Sequence, residues 1–354
     1  MSRFFSSKFA SLTPYVPGEQ PQDMQYVKLN TNESPFPPSK KAEKYAAEAA
    51  KGLNLYSDPE SKKLVKKLGE AYGVPEDMII VSNGSDEVLN FAFSAFCDEN
   101  TPAIFPDITY GFYPVFAEYN RVPYKEIPLR DDFTVNIEDY TGEKGTVFLA
   151  NPNAPTGISL KAAEVERIVL SDRNRIVVVD EAYSDFSGES CIELAKKYDN
   201  VLVTFTFSKS RSMAGARVGF AIGNRELIND LKTVKYSINP YNVNSLTEAC
   251  AIAALEDEQY MKDNCDTVIA NREYISSELK KLGFSMTESK ANFIFAKNEN
   301  LDGKELYKKL KEKGVLVRHF DKERIKMYNR ITVGTRQQMD ILLEKIKEIT
   351  EEQK

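Results

Sequence analysis

The stretch VLVTFTFSKSRSMAGARVGF, residues 201–220, begins as an apolar and β-branched run and then changes character. Its first seven residues predict a buried strand, because Val, Thr and Phe favour strands and polar alternation is missing. Ser208 and Lys209 follow at once, and a Gly- and Ala-rich segment leads to Arg217. Lysine is almost never fully buried without a partner. Lys209 therefore either reaches solvent or reacts with a ligand where this strand ends.

Six further apolar runs alternate with helical patterns such as residues 85–100 and 160–172. This order predicts an α/β fold with a doubly wound, mainly parallel sheet of seven strands. Ligands of such sheets bind outside the carboxyl ends of the strands. The predicted strands are MIIVS (78–82), PAIF (102–105), YKEIPL (124–129), GTVFLA (145–150), RIVVVD (175–180), VLVTFTF (201–207) and RVGFAIG (217–223).

From about residue 224 the pattern changes to long amphipathic segments, at 224–237 and 244–282. Short apolar runs and further helical patterns then predict a second, smaller α+β domain. We expect an N-terminal arm over residues 1–40 that belongs to the small domain or to a dimer contact. A large cofactor-binding domain over 41–240 and the small domain over 241–354 follow. The later elements are NFIFAK (292–297), a helix near 303–313, GVLVRHF (314–320), RITVG (330–334) and a final helix.

The composition excludes several classes of protein. The 354 residues have a net charge of −6 and no Lys/Arg-dense tract, which speaks against nucleic-acid or anionic-membrane binding. His319 is the single histidine, so a multi-histidine zinc site is excluded and no metal is predicted. The four cysteines form no CxxC motif and no apolar run approaches the ~20 residues of a membrane span, so we expect a cytoplasmic protein.

Residues suited to a phosphorylated ligand follow the predicted strands. Ser85 and Asp86 lie at a helix start, where free N–H groups bind phosphate, although both are also ordinary N-cap residues. Asp180 ends an apolar strand, where a buried carboxylate needs a metal or a cationic ring nitrogen as its partner, and the missing histidine cluster favours the ring nitrogen. With Lys209 and Arg217, these residues fit pyridoxal phosphate, an aldehyde that forms a Schiff base with a lysine.

Several motifs extend this interpretation to most of the chain. TFSKSRSMAGARVGF (206–220), NPNAPTG (151–157) and VVVDEAY (177–183) resemble the fold-type I pyridoxal-phosphate-dependent aminotransferases. Further motifs resemble the histidinol-phosphate aminotransferase subgroup of that family. They are PYVPGE (14–19), LNTNESP (29–35), YSDP (56–59), NGSDEVL (83–89), PDITYGFY (106–113) and RITVGTR (330–336).

The resemblance implies roles for the residues around the cofactor ring. Lys209 matches the lysine that binds the cofactor covalently and, once the substrate amine displaces it, moves the proton between the substrate Cα and the cofactor. Asp180 matches the acid that keeps the pyridine nitrogen protonated. Tyr110 matches the aromatic residue stacked on the ring, with Phe112 and Tyr113 as neighbouring alternatives.

The resemblance also implies a phosphate site, and Tyr56 matches a tyrosine that reaches the phosphate from the partner subunit of a homodimer with shared active sites. A helix start combined with a guanidinium suits a phosphate. The residues expected to bind the phosphate from the same chain are Ser85, Asp86, Thr206, Ser208 and Arg217.

The ring oxygen of the cofactor is where this sequence departs from the family pattern. Tyr183 matches the phenol that donates a hydrogen bond to this oxygen. Ala154 lies immediately before PTG, where many relatives have an asparagine that contacts the same oxygen. We expect Asn153 or Asn151 to substitute from a shifted turn, or Tyr183 to act alone, and we assign Asn153 to the cofactor site.

The substrate site is implied by four further residues, namely Arg330, Arg318, Tyr15 and Tyr241. Arg330 matches the arginine that binds a substrate carboxylate, and the same pocket would bind the phosphate of histidinol phosphate. The implied reaction converts L-histidinol phosphate and 2-oxoglutarate to imidazole acetol phosphate and L-glutamate, in histidine biosynthesis. The alternatives are an aminotransferase for aromatic or other amino acids, a threonine-phosphate decarboxylase-like enzyme, and a non-catalytic binding module.

Overall fold

Thirteen strands form three sheets in the computed structural model, which describes residues 2–352. They are β1 (Val27–Lys28), β2 (Ile79–Ser82), β3 (Ala103–Pro106), β4 (Tyr124–Ile127), β5 (Thr146–Ala150), β6 (Val177–Asp180), β7 (Val201–Thr206), β8 (Gly219–Gly223), β9 (Phe284–Met286), β10 (Phe293–Asn298), β11 (Val315–Leu316), β12 (Arg318–His319) and β13 (Asn329–Thr332).

Twelve α-helices pack against these sheets in the described part of the chain. They are α1 (Lys40–Ala49), α2 (Lys62–Tyr72), α3 (Ser85–Phe96), α4 (Tyr113–Asn120), α5 (Glu138–Thr141), α6 (Ala162–Ser171), α7 (Ile192–Lys197), α8 (Arg225–Ile238), α9 (Ser245–Leu255), α10 (Glu258–Lys281), α11 (Gly303–Glu312) and α12 (Arg336–Glu351). No helix within residues 2–352 combines the length and the apolar character needed to cross a membrane.

The central sheet has the strand order β2-β8-β7-β6-β5-β3-β4. Its strands are parallel except for β8, which is antiparallel to both of its neighbours. Val177 and Val179 belong to the apolar core on one face of the sheet, and Val178 belongs to the core on the other. Because helices cover both faces, both sets of alternating side chains are apolar. All seven predicted strands occur in this sheet, and the predicted α/β fold is confirmed.

The second core lies around the sheet β12-β13-β10-β9, against α10, α11 and α12. The predicted strand at 314–320 is two short strands: β12 pairs with β13, whereas β11 pairs in parallel with β1. This last pairing attaches the N-terminal arm, and Leu29 packs into the same core as Ile331 and Val333. Residues 27–29 of the arm therefore pack with this second core, and the LNTNESP segment reaches Lys209, whose Nζ donates to the Thr31 carbonyl.

The predicted helical segment at 244–282 is two helices that pack in different places. Asn244 caps α9 by accepting a hydrogen bond from the Thr247 N–H at 2.9 Å. The helical conformation is interrupted between Leu255, where α9 ends, and Glu258, where α10 begins. Helix α9 packs against α1 and α2, and its Ala251 and Ala254 lie in the core of the large domain. This packing puts the domain boundary between α9 and α10 rather than at residue 240.

Candidate active site

A cleft with two adjoining parts lies at the carboxyl ends of the parallel strands. Every residue that the sequence predicts to bind the cofactor lines the inner cavity, except Asn153 and Tyr56. Tyr110 and Ala154 line both parts of the cleft. The inner cavity is bordered by Ser85, Asp86, Tyr110, Asp180, Tyr183, Thr206, Ser208, Lys209 and Arg217. The outer cavity includes Tyr15, Arg318, Lys322 and Arg330.

Lys209 extends into the inner cavity from the turn after β7. Its Nζ donates a hydrogen bond to the Thr31 carbonyl at 3.3 Å and lies 5.9 Å from the centre of the Tyr183 ring. Burial, together with the positive charge of Arg330, lowers the pKa of Lys209 to about 8. At neutral to mildly alkaline pH a substantial fraction of this amine is neutral, which is the form that attacks a carbonyl carbon.

Asp180 ends β6 in the floor of the inner cavity and is 5% exposed. Its carboxylate accepts hydrogen bonds from the Tyr113 hydroxyl at 3.3 Å and from the Thr204 hydroxyl at 3.2 Å. Burial and the negative charge of Asp86 raise the pKa of Asp180 to about 7. A buried carboxylate with two neutral donors and a raised pKa is suited to a cationic partner, which would restore its ionised form.

Tyr183 and Tyr110 both border the inner cavity. The Tyr183 hydroxyl accepts a hydrogen bond from the Asn32 side-chain amide at 2.9 Å, and burial raises its pKa. The Tyr183 ring meets Phe293 edge-on, with 5.1 Å between centroids. The Tyr110 hydroxyl donates to the Asp86 carboxylate at 2.7 Å. Tyr183 is therefore held from outside the cavity, and Tyr110 by a residue of its lining.

The start of α3 offers free backbone donors to the inner cavity. Its N-cap is Gly84, which has no side chain to cap the helix, and Ser85 and Asp86 lie in the first turn. The N-cap roles considered for Ser85 and Asp86 are therefore not observed. Uncapped N–H groups at a helix start bind anions. The Arg217 guanidinium lies at this helix start, 3.1 Å from the Asp86 carboxylate.

Two glycines allow this close approach of α3, Arg217 and β8. Gly84 has a φ of 80°, and a Cβ there would come within 2.5 Å of the Arg217 Nη2 atom. A Cβ on Gly219 would come within 2.5 Å of the Ser85 backbone nitrogen. Hydroxyl groups complete this part of the cavity, where Thr206 and Ser208 are joined by a hydrogen bond of 2.9 Å. The result is a small concave site of N–H, hydroxyl and guanidinium donors, which suits a phosphate.

Asn153 lies outside the inner cavity, and its side chain is bonded elsewhere. Its amide donates to the Ile108 carbonyl at 2.9 Å and to the Thr156 hydroxyl at 3.1 Å. Asn151 is likewise turned away and binds the backbone of Leu160. The shifted turn that the sequence suggested does not occur, because both amides hold the NPNAPTG turn in place.

The outer cavity contains the arginines predicted for substrate binding. The Arg330 Nη2 donates to the Asn30 carbonyl at 3.0 Å, whereas its buried Nε has no hydrogen-bond partner among the described residues. Arg318 binds the arm, because its two Nη atoms donate to the Val16 and Pro17 carbonyls at 3.0 and 3.2 Å. An unpaired buried guanidinium donor at Arg330 is suited to an anionic ligand.

Tyr15 reaches the outer cavity from the arm and stacks on Phe112, with 4.2 Å between centroids. Tyr56 and Tyr241 lie elsewhere, stacked on each other at 4.6 Å, and are 84% and 44% exposed. Neither lines the cleft of its own chain. These two tyrosines can therefore contribute to a cleft only if that cleft belongs to another copy of the chain.

Sequence reasoning missed three residues that hold this site together. Tyr113 and Thr204 bind Asp180, and Asn32 binds Tyr183. Tyr113 had a local signal, since it lies three residues after Tyr110, but it was considered only as an alternative stacking residue. Thr204 had no local signal, because it comes beside Asp180 only through the parallel register of β6 and β7.

The residues fit pyridoxal phosphate on independent structural grounds. The phosphate would lie against the start of α3 and Arg217, the ring nitrogen against Asp180, and the aldehyde carbon near Lys209. The described residues contain no group of three or more His, Cys, Asp or Glu side chains placed to hold a metal ion. The raised pKa of Asp180, the lowered pKa of Lys209 and the cluster of anion-binding donors at the start of α3 all agree with this one ligand.

Comparisons with known proteins agree with this geometry. The family described as aminotransferase class I and II matches residues 24–346. Histidinol-phosphate aminotransferase of Brachyspira hyodysenteriae is 48% identical over 351 residues, which cover 99% of each chain. The enzyme of the same name from Clostridium beijerinckii is 43% identical over 348 residues, which cover 98% of this chain and 97% of that protein.

Solved structures share the fold. Histidinol-phosphate aminotransferase from Sinorhizobium meliloti, solved in complex with pyridoxal-5'-phosphate, superposes with a TM-score of 0.89 and is 23% identical over 99% of each chain. The chain belongs to the class I and II aminotransferases, within the family of the histidinol-phosphate aminotransferases.

Proposed function

We propose that the protein transfers the amino group of L-histidinol phosphate to 2-oxoglutarate, giving imidazole acetol phosphate and L-glutamate, with pyridoxal phosphate as its cofactor. The main support is the full-length identity of 48% to a histidinol-phosphate aminotransferase. The cleft supports it as well, because Lys209 and Asp180 border the inner part while Arg330 and Arg318 border the outer part. This reaction is a step of histidine biosynthesis.

The cofactor, when bound, supplies an electron-accepting ring that stabilises a carbanion at the substrate Cα. Lys209 would hold the cofactor and would then act as general base and acid, taking the proton from the substrate Cα and later returning a proton. Its lowered pKa suits both directions of transfer near neutral pH. Asp180 would keep the ring nitrogen protonated, and Tyr183 would donate a hydrogen bond to the ring oxygen.

The outer cavity would bind the anionic ends of both substrates in turn. The Arg330 guanidinium has a free Nε donor and lies between the rings of Phe293 and Phe320, 5.5 and 5.8 Å from their centres. It would bind the carboxylate of 2-oxoglutarate or glutamate, or the phosphate of histidinol phosphate. Arg318 and Tyr15 lie on the same cavity and would contact the phosphate.

We also propose a homodimer with shared active sites. Leu53 and Leu55, close to Tyr56 in the sequence, and Ile238, close to Tyr241, are further large exposed apolar side chains. Such a patch needs cover. In a two-fold dimer this surface would face its own copy, and Tyr56 and Tyr241 would reach the partner's cleft.

The protein is further proposed to be cytoplasmic. The thiols of Cys97, Cys191, Cys250 and Cys265 are all free. Free thiols fit a reducing compartment.

The substrate is tested by comparing kcat/KM for histidinol phosphate, phenylalanine and phosphothreonine, each with 2-oxoglutarate as acceptor. We expect histidinol phosphate to be preferred by at least about 100-fold, because loss of its charged contacts leaves buried groups unpaired. Preference for phenylalanine would identify an aromatic aminotransferase. Release of carbon dioxide from phosphothreonine would identify a decarboxylase. Absence of a visible absorption band after addition of pyridoxal phosphate would overturn the catalytic proposal.

A further inference from the structure

The hydroxyl of Tyr183 has a hydrogen-bond donor that the family resemblance did not indicate. Asn32 is 1% exposed, and its Nδ2 atom lies 2.9 Å from the Tyr183 oxygen. A phenol has one hydrogen to donate, and it accepts hydrogen bonds through its lone pairs. Because Asn32 occupies an acceptor position, the Tyr183 O–H must point in another direction.

Thr332 contacts the end of the Asn32 amide that faces away from Tyr183. The Thr332 hydroxyl accepts the backbone N–H of Asn32 at 2.9 Å and donates its hydrogen to the Asn32 Oδ1 atom at 3.1 Å. In this orientation the Asn32 Oδ1 accepts from Thr332 and its Nδ2 donates to Tyr183. The reverse orientation would take the Tyr183 hydrogen and leave none for the inner cavity, so a hydrogen-bond acceptor in that cavity favours the orientation that the structure shows.

The backbone of Asn32 is held in a conformation that few residues adopt. Its φ is 55°, in the left-handed region, where asparagine is enriched. Its carbonyl accepts a hydrogen bond from the Asn292 amide at 3.0 Å. Thr332 on β13 and Asn292 just before β10 thus hold Asn32 so that its side chain is directed at Tyr183. Such support from the surrounding structure is expected of a positioning residue.

The other side of Tyr183 is apolar. Ala154 packs with Ala291, Phe293 and Tyr183 in one small cluster. Asn151 and Asn153 bind elsewhere, so no amide from the NPNAPTG turn replaces the family asparagine. Within residues 2–352, the hydrogen bond from Asn32 is the one that orients the Tyr183 hydroxyl, and its free direction is the inner cavity.

We propose that Asn32, itself oriented by Thr332, is a positioning residue that points the Tyr183 O–H at the ring oxygen of the cofactor and thereby compensates for Ala154. This inference rests on the cofactor named under the proposed function and is independent of the substrate. A donor to the ring oxygen disperses its negative charge. Loss of that donor would make the oxygen bind the neighbouring proton more tightly, and the apparent pKa of the bound chromophore would rise.

The test is a pH titration of the absorption spectrum of the cofactor-loaded enzyme without substrate. Asn32→Gly removes the amide while glycine still accepts the positive φ. We expect Asn32→Gly to raise the apparent pKa of the bound chromophore by about 0.5. Tyr183→Phe should raise the same pKa by a larger amount. The double variant should titrate like Tyr183→Phe alone, because Asn32 acts through Tyr183.

A matched pair at Thr332 keeps the proposal testable if Asn32→Gly fails to fold. Thr332→Val removes the hydroxyl that orients the amide and should raise the chromophore pKa, whereas Thr332→Ser keeps the hydroxyl and should titrate like the wild type. Asn30→Ala is the control, since Asn30 is equally buried but donates to the Glu19 carbonyl. It should leave the titration unchanged.

Wild-type titration in both Asn32→Gly and Thr332→Val would overturn the proposal. So would a double variant whose shift equals the sum of the single shifts, since Asn32 would then act independently of Tyr183. A wrong substrate assignment would leave these titrations unaffected. A protein that develops no chromophore at all would refute the proposed function instead.

Discussion

At the scale of single residues, the site depends on charges that are buried before any ligand is present. Asp180 has a pKa raised to about 7, and Lys209 has a pKa lowered to about 8. Each shift reflects the cost of burying a charge without its partner. The bound cofactor would supply a cationic nitrogen to one residue and an electrophilic carbon to the other, so the same features that favour binding destabilise the empty protein.

Replacement of Lys209 tests the chemistry of the site. We expect Lys209→Ala to fold and to lower kcat by about 10³-fold or more, because anchoring and proton transfer are lost together. Borohydride treatment of the loaded variant should give no covalent adduct by mass spectrometry. Lys196→Ala removes an exposed lysine paired with Glu193 and should keep both activity and adduct. Full activity of Lys209→Ala would exclude the mechanism.

Replacement of Asp180 tests the cost of the buried carboxylate. Its folded-state pKa lies above the unfolded value, so the unfolded state binds fewer protons and stability falls as pH rises from about 4 to 7. In the cofactor-free protein, Asp180→Asn should be more stable than the wild type. The difference in free energy of unfolding between the variant and the wild type should grow by about 2 kcal/mol between pH 5 and pH 8.

Urea unfolding at the two pH values measures this difference. Turnover of the loaded Asp180→Asn variant should fall sharply, because an amide cannot keep the ring nitrogen protonated. If the variant exceeds the wild type in free energy of unfolding by the same amount at pH 5 and pH 8, the assignment of the raised pKa to Asp180 is contradicted.

At the scale of elements, the site depends on how closely α3 approaches β8. Gly219 lies beside the first turn of α3, and its missing Cβ allows the backbone of the two elements to pack together. The helix start can then direct its N–H groups into the inner cavity together with Arg217. Of the two glycines in GARVG (215–219), the contact between α3 and β8 explains Gly219, whereas Gly215 has free space around it.

Gly219→Ala should weaken cofactor binding. The added methyl group would lie 2.5 Å from the Ser85 nitrogen and 2.7 Å from the Gly84 carbonyl carbon, so the start of α3 must move. We expect the Kd for pyridoxal phosphate, measured by absorption titration, to rise by about tenfold or more. Gly215→Ala is the matched control, because no atom lies within 4 Å of its added Cβ. Equal Kd values for the two variants would argue against the role of this close approach.

The elements also show where periodicity alone is insufficient. Residues 244–282 keep a helical pattern throughout, yet α9 packs on the large domain and α10 on the small one. Apolar periodicity records that a face is buried, and it does not record against which partner. The division of the helix at residues 256–257, and with it the domain boundary, is a consequence of tertiary packing.

At the scale of the whole molecule, each cleft is proposed to need a second copy of the chain. Tyr56 and Tyr241 are stacked on an exposed apolar surface and do not line their own cleft. Lys235 supports this surface from inside, where its Nζ donates to the Pro59 carbonyl at 2.6 Å. A firmly held surface that projects aromatic side chains is suited to an interface.

Two inactive variants test shared sites. Tyr56→Ala should lose most activity because the active site of the partner lacks Tyr56. Lys209→Ala should lose most activity because the active site of its own chain lacks the lysine. When the two are mixed and allowed to exchange subunits, random pairing gives hybrid dimers in which about a quarter of all sites have both residues. Activity should reappear to about that level. Mixtures that stay inactive although exchange is shown by mass would contradict the shared site.

The interface itself is tested by charge. Leu55 is 70% exposed, and Leu55→Asp should give a monomer by light scattering, with loss of activity. Leu170→Asp introduces the same charge at another exposed leucine, on α6, and should remain dimeric and active. A wild-type protein that is monomeric at assay concentration while fully active would overturn the dimer proposal.

The sequence by itself determined the seven strands, their α/β arrangement and most of the inner cavity. These features follow from local patterns, because parallel strands bring the residues after their ends to one edge of the sheet. Lys209 follows one apolar run, Asp180 ends another and Arg217 begins a third, and these positions identified them. The structure brings all three to one cavity.

Tertiary structure alone decided how these side chains are held. Asn32 lies 151 residues from Tyr183 and 300 residues from Thr332, so no local pattern links them. Asn153 matched a family motif, but its amide donates to the Ile108 carbonyl and the Thr156 hydroxyl instead. The physical reason is that a buried polar group bonds to whichever donor or acceptor the packing brings near, and this partner is set by the fold of the whole chain.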